Sequence, residues 1–259
     1  MFSYRLSEET HRRLQTQLAD SLPPELLEEL FDHHTSILYP KEAVIFEQSS
    51  PADLMFWIFT GIAKLCFVTP EGQRRLVRLA GPGDLLGHVD FVDVKGRRNQ
   101  AFEARALTRC SVGVLTRERA LKVLHGLDHA TLLKLFEQVN TRWSALAYWY
   151  AALFNLSFRR RLEAVLGDLA ERFGVQDKRG IILTPELTHG ELADMIGSSR
   201  PMVSRLIGQM VARRELARHG KQYILLDGRI PTKIVPASNT GVVAQNGFAK
   251  HYQSQSHAN

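Results

Sequence analysis

The chain has 259 residues, 44% of them hydrophobic, and 33 Lys and Arg against 27 Asp and Glu, a formal net charge of +6. That length suits two domains of ordinary size, and the composition excludes disordered and fibrous classes. The positive balance favours a polyanionic partner. The two cysteines, Cys66 and Cys110, exclude a disulfide scaffold and lack the spacing of a metal site. Both read as buried strand residues in a reducing compartment. No apolar run approaches the ~20 residues of a membrane span. The start, MFSYRLSEETHRRLQ, has no apolar signal-peptide core. The expectation is a cytoplasmic protein with no membrane partner. The sequence has no P-loop, nucleophile elbow or metal-ligand pattern, which argues against an enzyme. Asp90 and Asp93 near His88 read as a polar turn.

In chain order, residues 4–31 read as a helical extension, with Ser7 as a cap and a second helix opening after Pro23 and Pro24. From Ile37 the pattern changes to short strands rich in Val, Ile, Leu and Phe. They are separated by SSPAD, TPEGQ, AGPGD and KGRRNQ. Such punctuation predicts an antiparallel β-roll or jelly roll over 31–127, closed by a short helix, RERALKVLHGL, capped by Thr116.

From Asp128 to Leu156 neither Gly nor Pro occurs. Leu132, Leu135, Val139, Trp143, Leu146, Tyr150 and Leu153 recur at alternating steps of about three and four, which predicts one long helix with a dimerisation seam. The alternative is a helix packed only on its own roll.

A DNA-binding domain is predicted over 157–227. FRRRLEAVLGDLAERFG is a helix ending at Gly174. Its Arg159, Arg160 and Arg161 read as a solvated helix start rather than a phosphate clamp. VQDKRG reads as a polar turn, and IILT as a short strand. LTHGELADMIGSSRPMVSRLIGQMVARR then has the plan of a helix-turn-helix. Thr188 with Glu191 three residues later forms a capping box. Leu192, Ala193 and Ile196 make the buried face, and Gly197 sits where a left-handed backbone is needed. A second helix starts at Ser198 or Ser199, with Pro201 in its first turn. Val203, Leu206, Ile207 and Met210 form its apolar stripe, leaving Arg200, Ser204 and Arg205 outward. ELARHGKQYILLD reads as a hairpin, the wing of a winged helix. Residues 228–259 have little to bury, and a disordered tail is expected.

This order of parts resembles the bacterial CRP/FNR transcription regulators. The residues carrying the likeness are GPGDLLG (81–87), ALTRCSV (106–112) and LTHGELADMIGSSRPMVSRL (187–206), within roughly residues 30–227. The fold class expected is α+β: a cyclic-nucleotide-binding-like β-roll, a long dimerisation helix and a C-terminal winged helix-turn-helix. The resemblance implies a homodimer on a palindromic promoter site in double-stranded DNA, with half-sites one helical turn apart, and contact with RNA polymerase. Arg205 then reads a guanine through O6 and N7. Arg200, Ser198, Ser199 and Ser204 face base edges or phosphates. Arg213, Arg214, Arg218 and Lys221 face phosphates. Many relatives carry Glu at the position of Pro201, so target preference is expected to differ there.

In cyclic-nucleotide-binding relatives a Glu after the cassette Gly accepts from the ribose, and an Arg ten residues on pairs with the phosphate. Here Gly87 is followed by His88. Counting forward reaches Arg98 and Asn99, while counting back from ALTRC reaches Gln100 and Ala101. cAMP is therefore disfavoured. Gly87, His88, Arg97, Arg98, Asn99 and Gln100 are the candidate effector residues, for cyclic di-GMP or another anionic small molecule. The competing reading is a basic turn with no ligand. An iron–sulfur cluster is excluded by cysteine count. A haem-based gas sensor, with His11, His33, His34 or His88 as axial ligand by residue type, ranks below these. A constitutive DNA-binding protein whose roll is only a dimerisation scaffold is the remaining alternative.

Overall fold

A computed structural model describes residues 35–87, 99–137, 140, 144 and 155–226. The helical extension at 4–31, the tail from 228 and most of the 128–156 seam lie outside the described residues. Among the described residues, eight strands form the N-terminal roll: β1 (Thr35–Tyr39), β2 (Val44–Phe46), β3 (Leu54–Thr60), β4 (Ala63–Val68), β5 (Arg74–Ala80), β6 (Leu85–Leu86), β7 (Glu103–Ala106) and β8 (Cys110–Thr116). They make two antiparallel sheets, ordered β1-β8-β3-β6 and β2-β7-β4-β5. The inner faces meet in a core of Phe46, Phe56, Ile58, Leu65, Ala104 and Val112, where the rings of Phe46 and Phe56 stack at 4.7 Å.

β3 explains why LMFWIFT runs apolar instead of alternating. Phe56 and Ile58 face the inner core. Trp57 and Phe59 face the other way, into a second cluster with Ala120, Val123, Leu127 and Leu135. That outer face is covered by α1 (Arg117–Gly126), capped by Thr116, and by the start of α2 (129–137). Asp128 caps α2 by accepting from the Thr131 amide (2.9 Å) and hydroxyl (2.8 Å). Leu135 therefore spends itself on its own roll, while Leu132, Leu133 and Phe136 on the same helix remain 37%, 56% and 65% exposed.

The second half opens with Ser157 capping α3 (Phe158–Phe173), which ends at Gly174. β9 (Gly174–Asp177), β10 (Gly180–Leu183), β11 (Leu216–His219) and β12 (Gln222–Leu226) form a third sheet, ordered β11-β12-β10-β9. Here the expectation of a polar turn over VQDKRG is corrected. Val175 and Gln176 are exposed edge-strand residues paired with Ile182 and Ile181. An edge strand with two exposed faces carries no alternation to read. Between β10 and β11 lie α4 (His189–Ile196) and α5 (Arg200–Ala212).

One core cluster runs through both halves. It joins Leu162, Leu166, Leu169, Leu192, Ile196, Val203 and Ile207 with Ile62, Cys66, Leu76 and Leu79 of the roll. Both cysteines are buried, and burial pushes each thiol up to about 11.

Candidate nucleic-acid interface

The local grammar of α4-turn-α5 is realised residue by residue. The Thr188 hydroxyl accepts from the Glu191 amide (3.2 Å), and the Glu191 carboxylate accepts from the Thr188 amide (2.8 Å). This reciprocal box satisfies two amides that a helix start leaves unpaired. Gly197 terminates α4 at φ 63°, ψ 44°, a left-handed conformation that costs a residue with a Cβ about 1–2 kcal/mol. Ser199 caps α5, accepting from the Met202 amide at 3.4 Å, and Pro201 follows in the first turn, where no N–H is missed.

Burial then divides α5 along its length. Val203, Leu206, Ile207 and Met210 are buried, while Arg200, Pro201, Ser204, Arg205, Gly208 and Gln209 are exposed. Ser198 is half-buried in the turn. Arg205 reaches back one turn and donates to the Met202 thioether at 2.9 Å. Arg213, Arg214, Arg218 and Lys221 are exposed at the end of α5 and on the β11–β12 hairpin. The helix face and the hairpin thus present cationic groups on neighbouring elements.

Two residues of this region gave no signal in the sequence beyond their type. His189 has one ring nitrogen, Nδ1, 2.8 Å from the Ser204 hydroxyl and the other, Nε2, 2.8 Å from the Tyr223 hydroxyl on β12. Burial, then the charges of Arg218 and Arg200, lower the His189 pKa.

The arginine cluster corrects another expectation. Arg159 donates to Glu163 at 2.7 Å and also binds Glu215. Arg161 donates to the carbonyls of Leu156 (2.9 Å) and Ile196 (3.2 Å), with its guanidinium over the Phe158 ring. Ile196 ends α4, so Arg161 satisfies a carbonyl at a helix end and ties it to the chain just before α3. Arg160 pairs with Glu163 at 3.2 Å yet keeps its side chain 63% exposed, so of the three it comes nearest to a solvated helix start.

The roll grips the C-terminal half through α4. Lys64 on β4 pairs with Glu191 at 2.6 Å. Asp194 accepts from the Arg75 guanidinium (3.1 Å) and from the backbone amide of Leu76 (3.1 Å). Among the described residues β5 is the edge of its sheet, and the Asp194 carboxylate accepts from its ladder at a place that no described strand fills. A second tie runs from Arg172 of α3 to the Asp84 carboxylate (2.6 Å) and the Leu79 carbonyl (3.2 Å). Glu191 therefore serves the capping box and the contact with the roll at once.

In the β-roll the structure brings Gly87 and Gln100 together. Gly87 has φ +77°, and a Cβ there would sit 3.3 Å from Gln100 Nε2 and 3.1 Å from the Leu54 carbonyl. Gln100 is buried, and its backbone exchanges hydrogen bonds with Ser49 and Ser50. Asn99 is exposed and bridges Pro51. His88, Arg97 and Arg98 lie outside the described residues, as do Val139, Trp143, Leu146, Tyr150 and Leu153 of the seam. Among the described residues no cluster of His, Cys, Asp and Glu has the geometry of a metal site. No helix among them is long and apolar enough to cross a membrane.

Residues 37–126 match the family model of a cyclic nucleotide-binding domain, and residues 160–229 that of a Crp-like helix-turn-helix domain. The chain belongs to the CRP/FNR family of transcription regulators. It is 24% identical over 189 residues to a CRP-like cAMP-activated global transcriptional regulator of Mycobacterium tuberculosis, covering 73% of this chain and 83% of that one. It is 28% identical over 204 residues to the global nitrogen regulator of Synechocystis, covering 77% and 82%. In fold it is similar to the c-di-GMP responsive global regulator CLP of Xanthomonas campestris, with a TM-score of 0.63 at 18% identity over 78% of this chain and 98% of that one.

Proposed function

We propose that this CRP/FNR regulator reads a palindromic promoter site as a homodimer, with Arg205 as the guanine reader and the β-roll as an effector-responsive gate. The observation that carries the reading is the division of α5. Its apolar stripe is wholly buried, while Arg200, Ser204 and Arg205 stand exposed on one face beside a cationic hairpin. A helix held in that way can enter a major groove, with guanidinium groups at its front and phosphate-seeking charges behind. Ser198, Ser199, Arg213, Arg214 and Lys221 supply backbone contacts, which position the protein without specifying sequence.

The dimer is supported by α2. Leu132, Leu133 and Phe136 are exposed although Leu135 on the same helix is packed, and a second copy of the helix would cover them. Two-fold symmetry in the protein then requires a two-fold symmetric site. The gate is supported by the ties from Lys64 and Arg75 to α4. A shift of β4 and β5 acts on the helix that carries the turn. This observation favours gating over a roll that is only a scaffold.

The effector in this reading is an anionic small molecule other than cAMP. Several relatives are cAMP-activated by name, yet here His88 stands where the ribose-binding Glu would be. The Xanthomonas regulator is c-di-GMP responsive, and Arg97 with Arg98 offers paired donors for a phosphate. The protein works in the cytoplasm, with promoter DNA and RNA polymerase as partners.

The test is selection from a random duplex pool by the full chain, followed by calorimetric titration of the enriched duplex without nucleotide, with cyclic di-GMP and, separately, with cAMP. Enrichment of a symmetric site with half-sites one helical turn apart, and tighter site binding with cyclic di-GMP than with cAMP, supports the reading. Enrichment of an asymmetric site, or no enrichment, overturns the dimeric reader. Equal affinity with and without both nucleotides, in a protein that carries no other bound anion, favours the scaffold.

A further inference from the structure

His189 joins three elements at their outer surface. It lies in the first turn of α4, Ser204 lies on the exposed face of α5, and Tyr223 lies on β12 of the wing. The His189 and Tyr223 rings are nearly parallel, 22° apart with centroids at 6.4 Å, the end-to-end arrangement that a 2.8 Å hydrogen bond between the phenol hydroxyl and Nε2 produces. A neutral imidazole has one donor nitrogen and one acceptor nitrogen. Ser204 and Tyr223 must therefore play opposite parts. The proton that Ser204 shows to its surroundings is decided on the far side of the ring.

The choice follows from donor strength. A phenol, with a pKa of about 10, is a better proton donor than an aliphatic hydroxyl. Donation from Tyr223 to Nε2 is therefore the favoured arrangement, and it leaves the proton on Nδ1. Nδ1–H then donates to Ser204 Oγ. With that lone pair engaged, the Ser204 hydroxyl no longer donates to the ring, and its proton is left for another acceptor, on the exposed face that also carries Arg205. Burial, together with the positive charges of Arg218 on β11 and Arg200 on α5, favours the neutral ring that this arrangement needs.

We infer that His189 is a positioning residue for base recognition: oriented by Tyr223, it presents Ser204 to the major groove as a hydrogen-bond donor. The base edges that fit are acceptors, namely O6 or N7 of guanine and O4 of thymine. In this arrangement the wing takes part in sequence reading without touching a base. The inference rests on the DNA-reading assignment of α5.

The test uses the full chain and the duplex it enriches from a random pool. Comparing the pools enriched by the parent and by Ser204→Ala identifies the base pair that Ser204 reads. Tyr223→Phe removes one hydroxyl and keeps the ring. It is expected to weaken discrimination at that pair about fivefold, the worth of one hydrogen bond, and to add nothing in the Ser204→Ala background. His189→Asn, which keeps a donor near the Nδ1 position but cannot reach Tyr223, is expected to retain discrimination better than His189→Ala. A Tyr223→Phe protein that discriminates like the parent overturns the inference. So does one that loses affinity equally for all duplexes and in both backgrounds, since that is a structural or phosphate effect. Loss of discrimination in Arg205→Ala with none in Tyr223→Phe leaves the DNA-reading assignment standing and this inference refuted.

Discussion

The contact between α4 and the edge of the roll makes a quantitative prediction for Asp194→Ala. Asp194 accepts from the Arg75 guanidinium and from the Leu76 amide, both at 3.1 Å. The Arg75 side chain is 57% exposed, so after solvent screening that pair is worth less than about 1 kcal/mol. The Leu76 amide belongs to a residue only 3% exposed, and losing a charged acceptor there costs about 1.5–3 kcal/mol. Together the substitution should destabilise the contact by roughly 2 kcal/mol, which corresponds to exchange of the Leu76 amide about thirtyfold faster. Hydrogen exchange read by mass spectrometry over β5 measures it. Asp194→Asn keeps an acceptor and should show a smaller effect. If Leu76 exchanges at the parent rate in Asp194→Ala, while α4 itself stays protected, the roll does not hold α4 through this carboxylate, and the gating path through it fails.

Three further outcomes are expected. Gly197→Ala should lower stability by about 1–2 kcal/mol from backbone strain alone, seen as a lower denaturant midpoint. Among the described residues beyond its own helix and chain neighbours, its Cβ would meet only Arg161 Nη1, at 3.7 Å. Lys221→Ala should flatten the salt dependence of duplex binding by roughly one counterion and leave sequence preference intact; a changed preference would mean that Lys221 reads a base. Burial opposes the charge of Glu103, but hydrogen bonds from Arg74 and Arg105 outweigh it and hold the carboxyl below its usual 4.5. Its stabilisation is therefore complete above about pH 4.5 and is lost as pH falls through the lowered folded-state value. Glu103→Gln should remove that acid-linked part of an unfolding titration, and an unchanged acid limb would contradict the pairing.

The helix-turn-helix was legible because each of its signals is local. Thr188, Glu191, Gly197, Ser199 and Pro201 act on backbone within four residues, so spacing alone places them. The two-faced burial of β3 also shows in its unbroken apolar run. What the sequence hid are partnerships across the fold. Arg161 reads as one of three adjacent charges until Ile196, 35 residues on, is seen to need a donor. His189 meets Ser204 and Tyr223 at separations of 15 and 34 residues. Asp194 meets Leu76 across 118. β9 was missed for a related reason, since it is recognisable only from its pairing with β10.

The central claim is base reading by the exposed face of α5, and Arg205→Ala measures it most directly. Against duplexes enriched by the parent, with the half-site guanine replaced in turn by each other base, the parent should discriminate by about 1–3 kcal/mol. Arg205→Ala should lose that discrimination while keeping its weak, salt-sensitive binding to any duplex. An Arg205→Ala protein that prefers the same guanine by the same margin would contradict the account.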